Sequence, residues 1–160
     1  MDEKDKQLAE SVLRRLCEGA QIDGIRFGPV LQILITDHVS GNEPLKGQVY
    51  LNLGSCWRVV ATRQAVFPEG EEELPEVTPE EQIQAICSIR ERVIVGVELG
   101  ASEPHLILTL GDGRVVFVNG KHDVYECWDM GVAFSGVEEM WSVVACPGGG
   151  VAVWAPKSFA

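Results

Sequence analysis

The chain is poor in basic residues: 13 lysines and arginines stand against 24 aspartates and glutamates among 160 residues, a formal charge of −11. Such a balance repels a phosphate backbone and an anionic membrane surface, so neither nucleic acid nor membrane is an expected partner. No stretch approaches the roughly 18 consecutive apolar residues needed to span a bilayer. The N-terminal Met-Asp-Glu-Lys-Asp-Lys is charged and is not followed by an apolar secretory core, so a cytoplasmic protein with reduced thiols is expected. The five cysteines (Cys17, Cys56, Cys87, Cys127, Cys146) are scattered and include no Cys-x-x-Cys pair. The three histidines, His38, His105 and His122, are equally dispersed. No metal site and no cofactor are therefore expected. A phosphate-cradling loop is missing too, because Pro147-Gly148-Gly149-Gly150 leads into Val151-Ala152-Val153-Trp154 rather than into Gly-Lys-Ser/Thr and a helix.

What the chain does have is a repeated texture. Leu51-Asn-Leu-Gly-Ser-Cys-Trp-Arg-Val-Val60 and Leu108-Thr-Leu-Gly-Asp-Gly-Arg-Val-Val116 share one strand–turn–strand pattern, and Gly24–Gly28 matches Gly96–Gly100 upstream. Two copies are too few for a solenoid, so the expectation is one domain, 1–160, with half-units 20–62 and 92–155 sharing a core. A chain of this length can bury roughly 70% of its unfolded surface without a metal or disulfide.

Residues 3–18 carry Leu8, Val12, Leu13 and Leu16 at helical spacing, with Gly19 placed for a left-handed cap. β-Branched runs predict strands over 22–27, 30–36, 48–53 and 56–62, with an exposed loop at His38–Lys46. An acidic linker, 68–77, is expected to be mobile, since like charges with Gly and Pro bury little apolar surface. Thr78-Pro79-Glu80-Glu81 then reads as a capping box opening a helix over 79–90, with Ile83, Ile86 and Cys87 as its buried stripe. Strands follow at 93–99, 105–110 and 114–118, the last two joined by a two-residue Asp112-Gly113 turn. Further strands are expected at 123–129, 140–146 and 151–155. The predicted class is α+β, a predominantly antiparallel sheet of two similar strand units, with an N-terminal helix and one short helix between the halves.

Strand alternation across Tyr125-Glu126-Cys127-Trp128-Asp129 puts Glu126 on the inward face with Trp128, where Arg114 or Arg92 would have to pair it. His122, Asp123, Cys127 and Cys146 supply residue types for a cysteine-dependent hydrolase, although cysteines in strands are ordinarily small core residues. The acidic residues gather in two stretches: 69–81 holds seven glutamates and no base, and 123–139 holds five acids and no base. Joined on one surface, Glu71, Glu72, Glu73, Asp123, Glu126, Asp129, Glu138 and Glu139 would form an anionic face suited to a basic protein.

Three segments carry a resemblance: Leu108–Val116 with its Asp-Gly turn, Tyr125-Glu126-Cys127-Trp128, and Pro147-Gly-Gly-Gly-Val-Ala-Val-Trp154. Over residues 94–155, and more loosely over 20–60, the chain resembles small bacterial β-rich domains, some of them regarded as immunity proteins of polymorphic toxin systems. The resemblance implies a non-enzymatic protein that neutralises a cognate toxin domain by direct binding. The competing expectation is a small-molecule binding module, with a pocket lined by Trp57 or Trp128.

Overall fold

The computed structural model describes residues 1–37 and 45–159. His38 and most of the expected loop 38–46 lie outside the described residues.

Helix α1 (Glu3–Cys17) begins where the Asp2 carboxylate accepts the Lys4 backbone N–H at 2.8 Å. It buries Ala9, Val12, Leu13, Leu16 and Cys17, whereas Leu8, expected in that stripe, points to solvent. Gly19 follows at φ 85°, and its N–H reaches Ile94 O.

The strands form two antiparallel sheets. The larger contains β1 (Gln21–Arg26), β2 (Leu31–Thr36), β3 (Gln48–Leu53), β8 (Trp128–Ala133), β9 (Ser142–Cys146) and β10 (Gly150–Trp154), in the order β1-β2-β3-β8-β9-β10. The smaller has the order β4-β7-β6-β5, from β4 (Trp57–Val60), β5 (Ile94–Leu99), β6 (Leu106–Leu110) and β7 (Val115–Val118). Backbone hydrogen bonds between residues 19–22 and 91–94 stitch the edges of the two sheets together. Their inner faces, with α1 and the Ile86 and Ile89 side chains, close one contiguous core.

The repeated segments meet different fates. In the second, Leu108–Val116, the chain folds back on itself, and β6 pairs with β7. In the first, Gly54-Ser55-Cys56 carries the chain from β3 in the larger sheet to β4 in the smaller. Strands β8–β10, from the second half, complete the sheet begun by β1–β3. The halves thus exchange strands rather than standing as separate sheets.

Local readings change in four places. The β6–β7 connection is a three-residue turn, Gly111–Gly113: Gly113 N–H bonds Leu110 O, and only Gly113 takes positive φ, at 88°. That is a type I turn followed by a left-handed residue, not the two-residue turn expected. Helix α2 (Pro79–Ser88) has the expected capping box, with Thr78 N–H on Glu81 Oε2 at 2.7 Å and Glu81 N–H on Thr78 Oγ1 at 3.2 Å. Its only buried residue is Ile86; Cys87 is exposed and Ile83 is 51% exposed. Residues 123–125 form a bend, 126 and 127 are irregular, and β8 starts only at Trp128. The alternation expected there is consequently lost: Cys127 and Trp128 are both buried, and Glu126 is exposed.

The expected linker is tied down. Residues 61–77 form a strap over the outer face of the smaller sheet, where Phe67 and Leu74 cover Ile107, Val115 and Phe117 as a satellite apolar cluster. Strand β7 is therefore buried on both faces, which accounts for the uninterrupted apolar run Val115-Val116-Phe117-Val118.

Candidate functional site

The β1–β2, β3–β4, β5–β6, β7–β8 and β9–β10 connections lie at one end of the sheets, where the 3-10 turn Glu71–Glu73 meets the β3–β4 and β7–β8 connections. The buried polar residues among those described, His105 and Asn119, both belong to this end.

Asn119 leaves β7 and anchors three segments. Its Nδ2 donates to Ser55 Oγ at 2.8 Å, to Lys121 O at 3.0 Å and to Glu71 Oε1 at 3.3 Å, while its backbone N–H bonds Cys56 O. Ser55 Oγ in turn donates to Glu71 Oε1 at 2.6 Å. Cys56 adds its backbone N–H and thiol to the same carboxylate, and the Tyr125 hydroxyl lies 3.5 Å from Oε1. Glu71 is the acceptor on which these donors converge, and the Ser55 hydrogen bond above all holds its carboxyl below the usual carboxylate range. A carboxylate so saturated is a staple, not a proton-transfer base.

His105 Nδ1 accepts the Gly120 N–H at 2.9 Å, which leaves Nε2–H for the backbone of Glu69. The ring is neutral, and burial pushes its pKa down. The chain crosses itself tightly here: a Cβ on Gly120 would stand 2.0 Å from Pro104 O, and one on Gly54 3.0 Å from Glu126 O. The Trp128 indole N–H closes the floor on Pro104 O at 2.8 Å.

Over this floor lies the loop 122–126. His122 Nδ1 accepts the Val124 and Tyr125 N–H groups at 3.1 and 3.3 Å, and its ring stacks on Tyr125 with centroids 3.4 Å apart. With Nδ1 engaged by the backbone, that nitrogen is not free to serve a cysteine. Burial raises the Cys127 thiol to about 11, and Cys56 and Cys146 are raised by the same cause. These thiols are held in the protonated, weakly nucleophilic form. Among the described residues no group of three or more His, Cys, Asp or Glu is placed to hold a metal ion.

The eight acidic residues singled out from sequence do not share one surface. Glu71 turns inward, while Glu72 and Glu73 stay exposed beside it. Asp123 and Glu126 are exposed on the neighbouring loop, so these acids do gather at the loop end. Glu138 and Glu139 sit beyond the far end of β8, about 17 Å away at ordinary strand rise. There Glu139 pairs with Lys46 at 3.3 Å, beside Met140, Trp154 and Lys157. Asp129 lies on the outer sheet face between the two groups, half-buried, with Asn52 Nδ2 at 3.1 Å and the Tyr50 hydroxyl as donors; burial pushes its pKa up.

Glu126 has neither expected arginine beside it. Arg92 and Arg114 both pair with Asp112 at the opposite end, at 3.3 and 2.9 Å. Trp57 and Trp128 are packed into the core, and Trp128 is 1% exposed. Ser55 and Asn119 went unread in the sequence, since each is a lone polar residue at a strand end. The one available signal was Asn119-Gly120 directly after four apolar residues. Comparison with protein-family models, with curated proteins and with solved structures finds no match to the chain.

Proposed function

We propose that this is a non-enzymatic binding protein that docks a basic protein partner on its loop end. The observation that carries the reading is the junction of Glu71 with Tyr125, which puts the acidic turn 71–73 against the loop 122–126. Glu72, Glu73, Asp123 and Glu126 are exposed on these two segments, as are Val124 at 80% and Tyr125 at 40%. An exposed tyrosine on a rigid base with charged neighbours is a common composition for an interface centre. The net charge of −11 speeds encounter with a cationic surface. The resemblance to immunity proteins makes a toxin domain the first partner to test.

Tagged protein purified from its own host should bring down a basic protein directly. Glu72→Lys with Asp123→Lys should lose it, and Glu138→Lys with Glu139→Lys should keep it. Recovery that is equal in all three proteins, or that includes no basic partner, defeats the proposal.

A further inference from the structure

Asn119 differs chemically from the other asparagines of the chain, Asn42 and Asn52, because it precedes Gly120 where they precede Glu43 and Leu53. The backbone nitrogen after an asparagine can attack that side chain's Cγ. It gives up its proton to a base from solvent, the new N–C bond closes a succinimide ring, and ammonia leaves. Water then opens the ring at either carbonyl, and the residue becomes aspartate or isoaspartate. A side chain on the following residue obstructs ring closure, so glycine makes Asn119 the asparagine of this chain most prone to it.

The fold holds every reacting group out of use. Asn119 and Gly120 are both buried, which excludes the water and base that the steps require. The attacking nitrogen is already engaged, its N–H donating to His105 Nδ1 at 2.9 Å. A neutral imidazole is far too weak a base to remove an amide proton, so this contact restrains the nitrogen without activating it. The departing Nδ2 donates to Ser55 Oγ, Lys121 O and Glu71 Oε1, and Asn119 Oδ1 accepts the Lys121 N–H at 3.3 Å. Closing the ring would break these bonds together.

The same contacts leave no place for the product. An aspartate at 119 has no donor for Ser55, Lys121 O or Glu71, and its carboxylate would stand where Nδ2 now lies, 3.3 Å from the Glu71 oxygen. Two carboxylates at that distance repel. An isoaspartate would add a methylene to the backbone at the crossing where even a Cβ on Gly120 would meet Pro104 O at 2.0 Å.

We infer that Asn119 is a deamidation site kept closed by the native loop end, and that local opening of this end is what exposes it to reaction. Its rate in the folded protein is the open-chain rate multiplied by the fraction of time the floor is open. An opening that ends in reaction is one-way, because the product cannot rebuild the floor.

The full chain is incubated folded and, in parallel, unfolded in urea at the same mildly alkaline pH. The proteolytic peptide carrying residue 119 is then weighed for replacement of the amide NH2 by OH. Asn119 should convert readily in urea and at least about a hundredfold more slowly in the folded protein. Ser55→Ala, with circular dichroism unchanged, should speed conversion in the folded state about tenfold, the worth of one buried hydrogen bond, and leave the urea rate as it was. Asn119→Asp, made directly, should have a lower urea midpoint than the parent. Conversion of the folded parent at the urea rate, an unmoved folded-state rate in Ser55→Ala, or an Asn119→Asp protein as stable as the parent would each overturn the proposal.

Discussion

Ser55 Oγ and Glu71 Oε1 lie 2.6 Å apart, joining the connection between the two sheets to the strap that covers the smaller one. Neither residue belongs to a strand, yet the pair, with Asn119, decides how the loop end is held.

Removing the carboxylate at this junction should cost stability. Glu71→Ala takes away an ionised acceptor shared by Ser55, Asn119 and Cys56, and a loss of about 2 kcal/mol is expected. Urea unfolding of the variant against the parent measures it. Because the folded-state pKa of Glu71 is depressed, its contribution is present above the ordinary carboxylate value of 4.5 and disappears as pH falls through the lower folded value.

His105 acts at higher pH. Burial lowers its folded pKa below the ordinary 6.5, so in the window beneath 6.5 the unfolded chain takes up a proton that the folded chain refuses. Stability is complete above 6.5 and falls as pH drops toward the folded value. The parent should lose stability between pH 7.5 and 5.5, and His105→Gln should show a shallower slope across that interval. Parallel slopes would remove His105 from the account.

Gly120 marks a chain crossing that admits no side chain. A Cβ there meets Pro104 O at 2.0 Å and Pro104 C at 2.3 Å, both backbone atoms. Gly120→Ala should destabilise by about 3 kcal/mol or more. Gly136→Ala, where a Cβ meets nothing within 4 Å, is the control expected to fall within about 1 kcal/mol of the parent.

The capping box of α2 should be worth about 1 kcal/mol, read as the shift in urea midpoint on Thr78→Ala. Since Thr78 is exposed and only its local hydrogen bonds change, the slope of the transition should stay the same.

The thiols should divide by access. Cys87 is exposed and should react with Ellman's reagent in the native protein, whereas Cys17 and Cys127 are buried and should react only on unfolding. A single fast thiol at Cys127 would revive the hydrolase idea.

Much was legible from residue order because it depends on neighbours. Thr78 to Glu81 are three residues apart, so the helix start can be read directly. Apolar periodicity found α1, and β-branched runs between turn residues found the strands and the α+β class. The errors have physical causes as well. Leu8 and Ile83 obey helical spacing, but which side of a stripe is covered depends on the element that packs against it. The segment 123–127 looked like a strand because Val124, Tyr125 and Cys127 are good strand formers. There His122 offers its Nδ1 to two backbone amides, and the turn it builds overrides propensity.

By itself, then, the order of residues determined what is local: the capping box of α2, the place of the β6–β7 turn, most of the extended segments and the excess of negative charge. Only the tertiary structure decided that β3 and β4 part into different sheets, that the strap closes over Phe117, and that the acids divide between two ends. Those outcomes rest on pairings such as Leu53 with Trp128, Trp57 with Val118 and Ser55 with Glu71, whose partners are far apart along the chain. Contacts of that kind form from the shared core and the ladder hydrogen bonds of the whole fold, and no short stretch of sequence contains both halves of them.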